Sequence, residues 1–280
     1  MKFIASLILL AFLPIFSVQA QTNDLDAAKQ NLKDSYEKLV EVKGNKELTQ
    51  VEKNKQELEA KKSAFKEVVD FSLAETQNAI TKLKAIKNLD DNYLNLKQQI
   101  LDTITNFPDY LKSYLIRLND PKLAVDDLKK IALEFKFWRE SVYDAAIKKA
   151  LNFILVFRSA DILNTASVRY SKIAIDLKLL KNYKSINQET LRSLFNDAAS
   201  SLKEAAQLFK EAKEMLLLVT STADVATSSI SDSIATSTPE DQLNTPPDIN
   251  DLIGRMLDDI KEAYAKFLEM SAAVKQATNH

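Results

Sequence analysis

No cysteine occurs in the 280 residues, glycine occurs only at positions 44 and 254, histidine only at 280 and tryptophan only at 138. Each scarcity removes a class of protein. Without cysteine no disulfide can staple the fold, so stability has to come from buried area, and neither a Cys/His zinc site nor a Cys-His nucleophile can be built. With the single histidine at the last position, a Ser-His-Asp relay and the Glu-x-x-His pairs of di-iron bundles are excluded as well. Gly44 and Gly254 stand too far apart to form a phosphate-cradling loop or a dinucleotide fingerprint. Turns and bulges that need positive φ must be scarce. The 38 basic and 39 acidic residues are interspersed, without a basic face or an acidic tail, which argues against nucleic acid as a partner.

What the chain does contain begins with Lys2, the apolar run Phe3–Phe16 and then Val18-Gln19-Ala20, which read as a signal peptide over residues 1–20 cleaved before Gln21. The run falls short of the roughly 20 apolar residues of a spanning helix, and Pro14 interrupts it. A lipid anchor needs a cysteine at the cleavage point, and there is none. The expected destination is therefore the periplasm, the cell surface or the medium. Loss of Lys2 leaves 37 basic against 39 acidic residues, a net charge of −2.

Abundant Ala, Leu, Lys, Glu and Asp, with only six prolines and almost no strand-and-turn pattern, predict an all-α chain with long helices. Asn23 or Asp24 can cap a first helix carrying Leu25, Ala28, Leu32, Tyr36 and Leu39, closed by Gly44. A second, from about Lys46 to Lys87, starts with Val51, Leu58 and Phe65 at sevenfold spacing and continues through Val69, Leu73, Ile80, Leu83 and Ile86. That stripe fits a coiled-coil hairpin arm and one amphipathic helix of an ordinary bundle equally well. A third helix, capped by Asp90 or Asp91, carries Leu94, Leu96, Ile100, Ile104 and Phe107, and Pro108 kinks or breaks it before Tyr110–Leu118. Asn119-Asp120-Pro121 reads as a restart, with Asp120 as cap and the proline at the first helical position. From Lys122 the line Leu128, Ile131, Phe135, Trp138, Val142, Ala146 leads into one or two long helices to about Tyr183, with any break near Asn164-Thr165.

After Ser185-Ile186-Asn187 a helix with Glu189 near its start carries Leu191, Leu194, Ala198, Leu202, Ala205, Phe209, Ala212 and Leu216, ending by Val219. Thr220–Asn250 is rich in Ser, Thr, Ala and Asp and contains Pro239, Pro246 and Pro247; it reads as a disordered linker, the other reading being a frayed helix over Asp224–Ala235. A last helix over Asp251–Gln276 carries Ile253, Leu257, Ile260, Tyr264, Phe267, Leu268 and Val274. The expected organisation is a signal peptide at 1–20, an N-terminal helical hairpin region at 21–118, a central long-helix bundle at 119–219, a linker at 220–250, and a C-terminal helix at 251–280 docking on the bundle. The whole is an elongated helical bundle with coiled-coil-like helices.

Two enzyme-like patterns are present. Ser-x-x-Lys, the spacing that sets a lysine against a nucleophilic serine, occurs three times, among them as Ser35/Lys38 and Ser63/Lys66, but the companion Lys-Thr-Gly and Ser-Asp-Asn motifs are missing. With 21 serines and 32 lysines in the chain, chance accounts for the matches. The carboxylate pairs Asp126-Asp127 and Asp258-Asp259 are adjacent on helices and point about 100° apart, so they cannot flank one substrate atom. Phe135, Phe137, Trp138 and Tyr143, followed by Phe153 and Phe157, can line an inter-helix groove or serve as plain core, and helical spacing favours core.

The apolar stretch Ala150–Phe157 lies within Lys148–Leu163 (KKALNFILVFRSADIL) and is the one segment whose burial by a bilayer has to be weighed. Eight residues of helix reach about 12 Å against a hydrocarbon core of about 30 Å. Lys148, Lys149, Arg158 and Asp161 make extension costly. Leu151, Ile154, Leu155 and Phe157 are therefore expected to be mostly buried by the protein's own helices.

From Leu151 onward, Arg158, Ile162, Arg169, Ile173, Leu177 and Leu180, the turn Ser185-Ile186-Asn187, the helix Leu191–Lys213 and the final helix Ile260–Val274 follow one another in an order that resembles uncharacterised secreted all-helical envelope proteins of candidate-phyla bacteria. Lys184-Ser185 stands where that group has a glycine. The resemblance implies an exported envelope protein without assigned activity and supplies no catalytic residue. Residues and resemblance together lead to the expectation of a non-catalytic structural or protein-interaction module of the cell envelope, with an unknown protein partner or self-association. The alternative is a membrane-active, pore-forming-like secreted protein, although membrane insertion is not expected. No catalytic, cofactor-binding or metal-ligating residue, and no cofactor, is assigned.

Overall fold

The computed structural model describes residues 19–44, 49–180, 187–223 and 248–278. Of the expected leader (1–20) residues 1–18, and of the expected linker (220–250) residues 224–247, lie outside the described residues; the ends of that linker belong instead to helices that run through Ala223 and start at Ile249. Among the described residues there are eight α-helices, one π-helical turn and no strand: α1 (Gln19–Gly44), α2 (Gln50–Ala85), α3 (Asp91–Ile104), α4 (Phe107–Leu118), α5 (Val125–Trp138), the π turn (Arg139–Tyr143), α6 (Asp144–Leu180), α7 (Gln188–Ala223) and α8 (Ile249–Thr278). Contacts divide the chain into two compact units, Met1–Lys84 with Leu101–Ile147 and Ala85–Ile100 with Lys148–His280.

Local chemistry explains most of the helix ends. Thr49 and Glu52 form a reciprocal capping box at the start of α2, the Thr49 hydroxyl and backbone N–H both donating to Glu52 Oε2 at 2.6 and 3.1 Å. That places the start four residues after the expected Lys46. Asp90 caps α3 by accepting from Tyr93 N–H at 3.3 Å, and Asn187 caps α7 by accepting from the N–H groups of Glu189 and Thr190 at 3.1 Å. Pro108 sits in the first turn of α4, where a missing N–H leaves no helical bond unmade. Three expectations are corrected. Asn23 and Asp24 lie inside α1, which starts at Gln19. Asp120 builds a turn, accepting from Lys122 N–H at 2.8 Å, and helix α5 begins only at Val125. Gly44 ends α1 without positive φ; among the described residues the left-handed conformation occurs at Asn88, φ 58°, just after α2.

In the first unit α4 and α5 run antiparallel, as Tyr110–Trp138, Tyr114–Phe135 and Arg117–Glu134 contacts show (ring centroids 4.6 and 5.1 Å, ion pair 2.8 Å). Helix α2 runs alongside α5, Phe65 meeting Phe135 at 5.3 Å and Ser72 meeting Tyr143. The buried line of α2 is Val69, Ser72, Thr76, Ala79 and Leu83. Leu73 and Ile80, expected in that line, are only half-buried. Small residues win because the Ser72 and Thr76 hydroxyls donate to the carbonyls of Val68 and Ser72, at 2.9 and 2.8 Å, and so enter the interior already satisfied.

In the second unit α6, α7 and α8 alternate in direction. Tyr170 stacks on Phe195 at 4.4 Å and Lys213 lies 5.8 Å from the Phe157 ring, so α6 and α7 are antiparallel. Arg169 lies 5.0 Å over Tyr264 and Lys148 pairs with Asp248 at 3.7 Å, so α8 runs with α6. Helices α7 and α8 pack against each other, and on α8 the buried line Ile249, Ile253, Met256, Ile260, Ala263, Phe267, Met270 alternates steps of four and three. Leu191, Ala198, Leu202, Ala205, Ala212 and Leu216 of α7 are buried as the spacing predicted, whereas Leu268 of α8 is exposed.

Gly254 sits in the interior of α8, and a methyl group there would meet nothing within 4 Å. Gly254→Ala is expected to stabilise the chain by about 0.5–1 kcal/mol, by lowering the entropy of the unfolded state. Urea denaturation of the two forms measures it, and a lower midpoint for the alanine form would contradict this account.

Candidate functional site

The most densely bonded interior group lies in the first unit, where α5 passes into α6. A five-residue π turn interrupts the helix at Arg139–Tyr143, with Asp144 N–H bonding to Arg139 C=O. One extra residue in the turn moves the buried line by one position. Tyr143 and Ile147 are buried, while Val142, expected in the core, is exposed, and Ala146 is only half-buried. The expected interruption near Asn164-Thr165 does not occur, for α6 is continuous through it. Such π turns recur at functional sites, which makes Tyr143 the natural centre of a candidate.

The Tyr143 hydroxyl lies 2.8 Å from Ser72 C=O, 2.9 Å from Glu75 Oε2 and 3.2 Å from Thr76 Oγ1. Its ring touches Phe107 and Trp138 at 5.6 and 5.2 Å, and the Arg139 guanidinium lies over it at 5.4 Å while pairing with Asp144. Burial first, and the Glu75 charge second, push the phenol well above its ordinary pKa, the Thr76 hydrogen bond opposing them. A phenol held protonated donates a hydrogen bond and does not serve as a base or a nucleophile. The group is thus built to hold, and its chemistry is the locking of α2 against the π turn.

The remaining aromatic candidates separate. Phe135 and Phe153 are buried, Trp138 and Phe157 half-buried, and Phe137 is exposed. Buried Phe107, Phe135 and Tyr143 pack with the half-buried Trp138, and Trp138 with the exposed Tyr110, edge-to-face or tilted at 4.6–6.0 Å in the first unit. Tyr114, hydrogen-bonded to Tyr110 at 3.0 Å, is likewise pushed well above an ordinary phenol, chiefly by burial. Ser72, Glu75 and Thr76, the groups that complete the Tyr143 network, were not singled out by sequence reasoning.

Neither the Ser35/Lys38 nor the Ser63/Lys66 match forms a dyad. Lys66 donates to Asp70 at 2.6 Å, and that hydrogen bond raises its pKa, so it is held as a cation. Ser35 donates instead to Leu32 C=O at 2.9 Å. Lys38 and Ser63, one residue from each match, line an open cleft of about 670 Å³ beside Val42, Glu52, Lys55 and Glu59. A second open cleft, of about 560 Å³ and in the other unit, is lined by Asp90, Asp91, Tyr93, Lys210, Lys213 and Glu214. There the Lys213 ammonium lies 4.4 Å over Tyr93 and 3.9 Å from Asp90.

Asp126, Asp127 and Asp258 each pair with a lysine three residues on, at 3.1, 3.9 and 2.7 Å. Asp259 differs: burial, followed by the charges of Glu204 and Glu262, raises its pKa above the usual carboxylate value. Among the described residues no group of three or more His, Asp or Glu is placed to hold a metal ion.

Within Lys148–Leu163, Ala150, Phe153, Ile154 and Val156 are buried, Leu155 and Phe157 half-buried, and Leu151 is 40% exposed. The expectation thus holds for Ile154, Leu155 and Phe157, and fails for Leu151. By helical arithmetic Ala150, Phe153, Ile154 and Val156 share one side of α6, and Leu151, with Leu155 one turn on, lies on the other. No helix among the described residues is long and apolar enough to cross a membrane.

Two measurements probe these groups. Tyr143→Phe removes the donor that serves the α2 carbonyl and the Glu75 carboxylate, and is expected to destabilise by about 1–3 kcal/mol in urea denaturation; an unchanged midpoint would show the network to be idle. Asp259→Asn is expected to stabilise at neutral pH. Its advantage closes as pH falls through the carboxylate range, because the folded chain takes up a proton at Asp259 before the unfolded chain does. A stability difference independent of pH would sink that assignment.

No protein family, curated protein or solved structure matches the chain, and its functional reading rests on its own residues.

Proposed function

We propose that this is a non-catalytic, exported helical-bundle protein that works through protein–protein contacts, as a structural or interaction module of the cell envelope. The observation that carries the reading is α1: from Leu25 to Gly44 none of its side chains is buried, and Tyr36 and Val40 are exposed, as is Val51 at the start of α2. A hairpin arm made of these two helices offers apolar surface to another protein. Residues 1–20 supply the export signal in this reading.

Export and contact are tested together. The chain expressed in an envelope-bearing host is expected to be recovered from the periplasm or medium with Gln21 as its N-terminal residue. Crosslinking in that envelope is expected to join residues around Tyr36–Val51 to another polypeptide. An uncleaved chain in the cytoplasm, or an exported chain that crosslinks to nothing, would overturn the proposal.

A further inference from the structure

Aromatic side chains form an unbroken line from the interior of the first unit to its surface. Tyr143, fully buried at the π turn, lies 5.2 Å ring to ring from Trp138 at the end of α5, and Trp138 lies 4.6 Å from Tyr110 of α4. Trp138 is half-buried and Tyr110 is 42% exposed. Tyr114 stands on the inner side of α4, its ring 5.2 Å and its hydroxyl 3.0 Å from those of Tyr110. With no cysteine in the chain, indole and phenol are its side chains most easily oxidised by one electron. Rings in contact exchange an electron faster than either radical reacts with solvent.

The surroundings decide where the missing electron comes to rest. A phenol gives up an electron at neutral pH only if its proton leaves as well. At Tyr143 that proton has the Glu75 carboxylate at 2.9 Å, where it stays within the buried network and returns. The Arg139 guanidinium 5.4 Å over the Tyr143 ring, and Arg117 at 5.4 Å over Tyr114, make positive charge on either ring unfavourable. Tyr110 differs, because its ring reaches solvent and its proton is lost to water, while the Tyr114 hydroxyl is close enough to donate to the oxygen left behind. A tyrosyl radical is the weaker oxidant of the two at neutral pH, so transfer from Tyr110 to an oxidised Trp138 runs downhill.

We infer that Tyr110 is an oxidative modification site, fed through Trp138, at which a one-electron oxidant couples the chain to a phenol. One electron leaves Tyr110 for the oxidant, directly or by way of Trp138, and the O–H proton goes to water. The phenoxyl radical joins ring carbon to ring carbon with the radical formed in the same way from a second phenol, and the hydrogens displaced from the two ring carbons return to the two oxygens. Two phenols and two equivalents of oxidant thus give one biaryl, two protons and two equivalents of reduced oxidant. This goes beyond the reading of the protein as an interaction module and does not depend on it.

The test treats the full-length chain with photogenerated tris(bipyridine)ruthenium(III) as oxidant and biotin tyramide as the second phenol, and maps the label by peptide mass spectrometry. Exposure alone favours Tyr36, which is 63% exposed. Several-fold more label is expected on Tyr110 than on Tyr36. Trp138→Phe, which keeps a ring in the line, is expected to reverse that preference in a chain whose circular dichroism shows it folded. Tyr110→Phe, at an exposed position, is expected to speed the loss of Trp138 fluorescence several-fold, because the radical then stays on the indole; the lone tryptophan makes the signal unambiguous. Label led by Tyr36 in the wild type, a Tyr110 preference that Trp138→Phe leaves intact, or fluorescence lost no faster in Tyr110→Phe each overturns the inference. Should Trp138→Phe fail to fold, the wild-type labelling and the Tyr110→Phe bleaching decide it.

Discussion

The register of the longest helix depends on one inserted residue, the one accommodated by the π turn at Arg139–Tyr143. A shift of one position turns a helix face by about 100°. Without the insertion Val142 and Ala146 would face inward, and Tyr143 and Ile147 outward. The hydroxyl of Tyr143 holds the inserted register, because its oxygen finds partners on α2 that no regular helix would bring within reach. A π turn forfeits regular helical hydrogen bonding, so it persists only where the surrounding packing outweighs that loss.

The same economy of polar groups recurs through both units. Ser72, Thr76, Ser159 and Ser201 are buried, and the hydroxyl of each donates to the carbonyl four residues earlier. Small, self-satisfied side chains let helices approach closely without a cysteine bridge or a large apolar residue at every contact. Asn78 is the departure: its Oδ1 is buried without a hydrogen-bond partner, and it adjoins Ala79 in the tightly packed part of α2.

Much of the helical order was legible in the sequence because its determinants are local. Asn187 and Asp90 are caps within three residues of what they cap, and the apolar residues of α7 repeat at a spacing that needs no partner to be recognised. The Thr49–Glu52 box was equally local, yet it hid inside a charged run where apolar spacing gave no start signal. What could not be read locally was misjudged. Ser72 and Thr76 look like exposed polar positions until their own backbone is seen to satisfy them. Tyr143 was in view as one aromatic among several; its partners stand 67 to 71 residues earlier, a distance over which no single-sequence periodicity carries information. Leu151 illustrates the reverse error, since a run that is apolar on every side was taken to be covered on every side.

The ion pairs carry a different consequence. Most of those among the described residues, such as Lys61–Glu57, Lys66–Asp70, Lys112–Asp109 and Lys261–Asp258, join residues three or four apart on one helix. They require a helix but no tertiary neighbour. They can form in segments that have lost their packing, which favours fluctuating helical stretches in the denatured ensemble at low salt. The chain's heat capacity and denaturant sensitivity on unfolding are therefore expected to fall below what its length alone suggests, with high ionic strength restoring part of the difference.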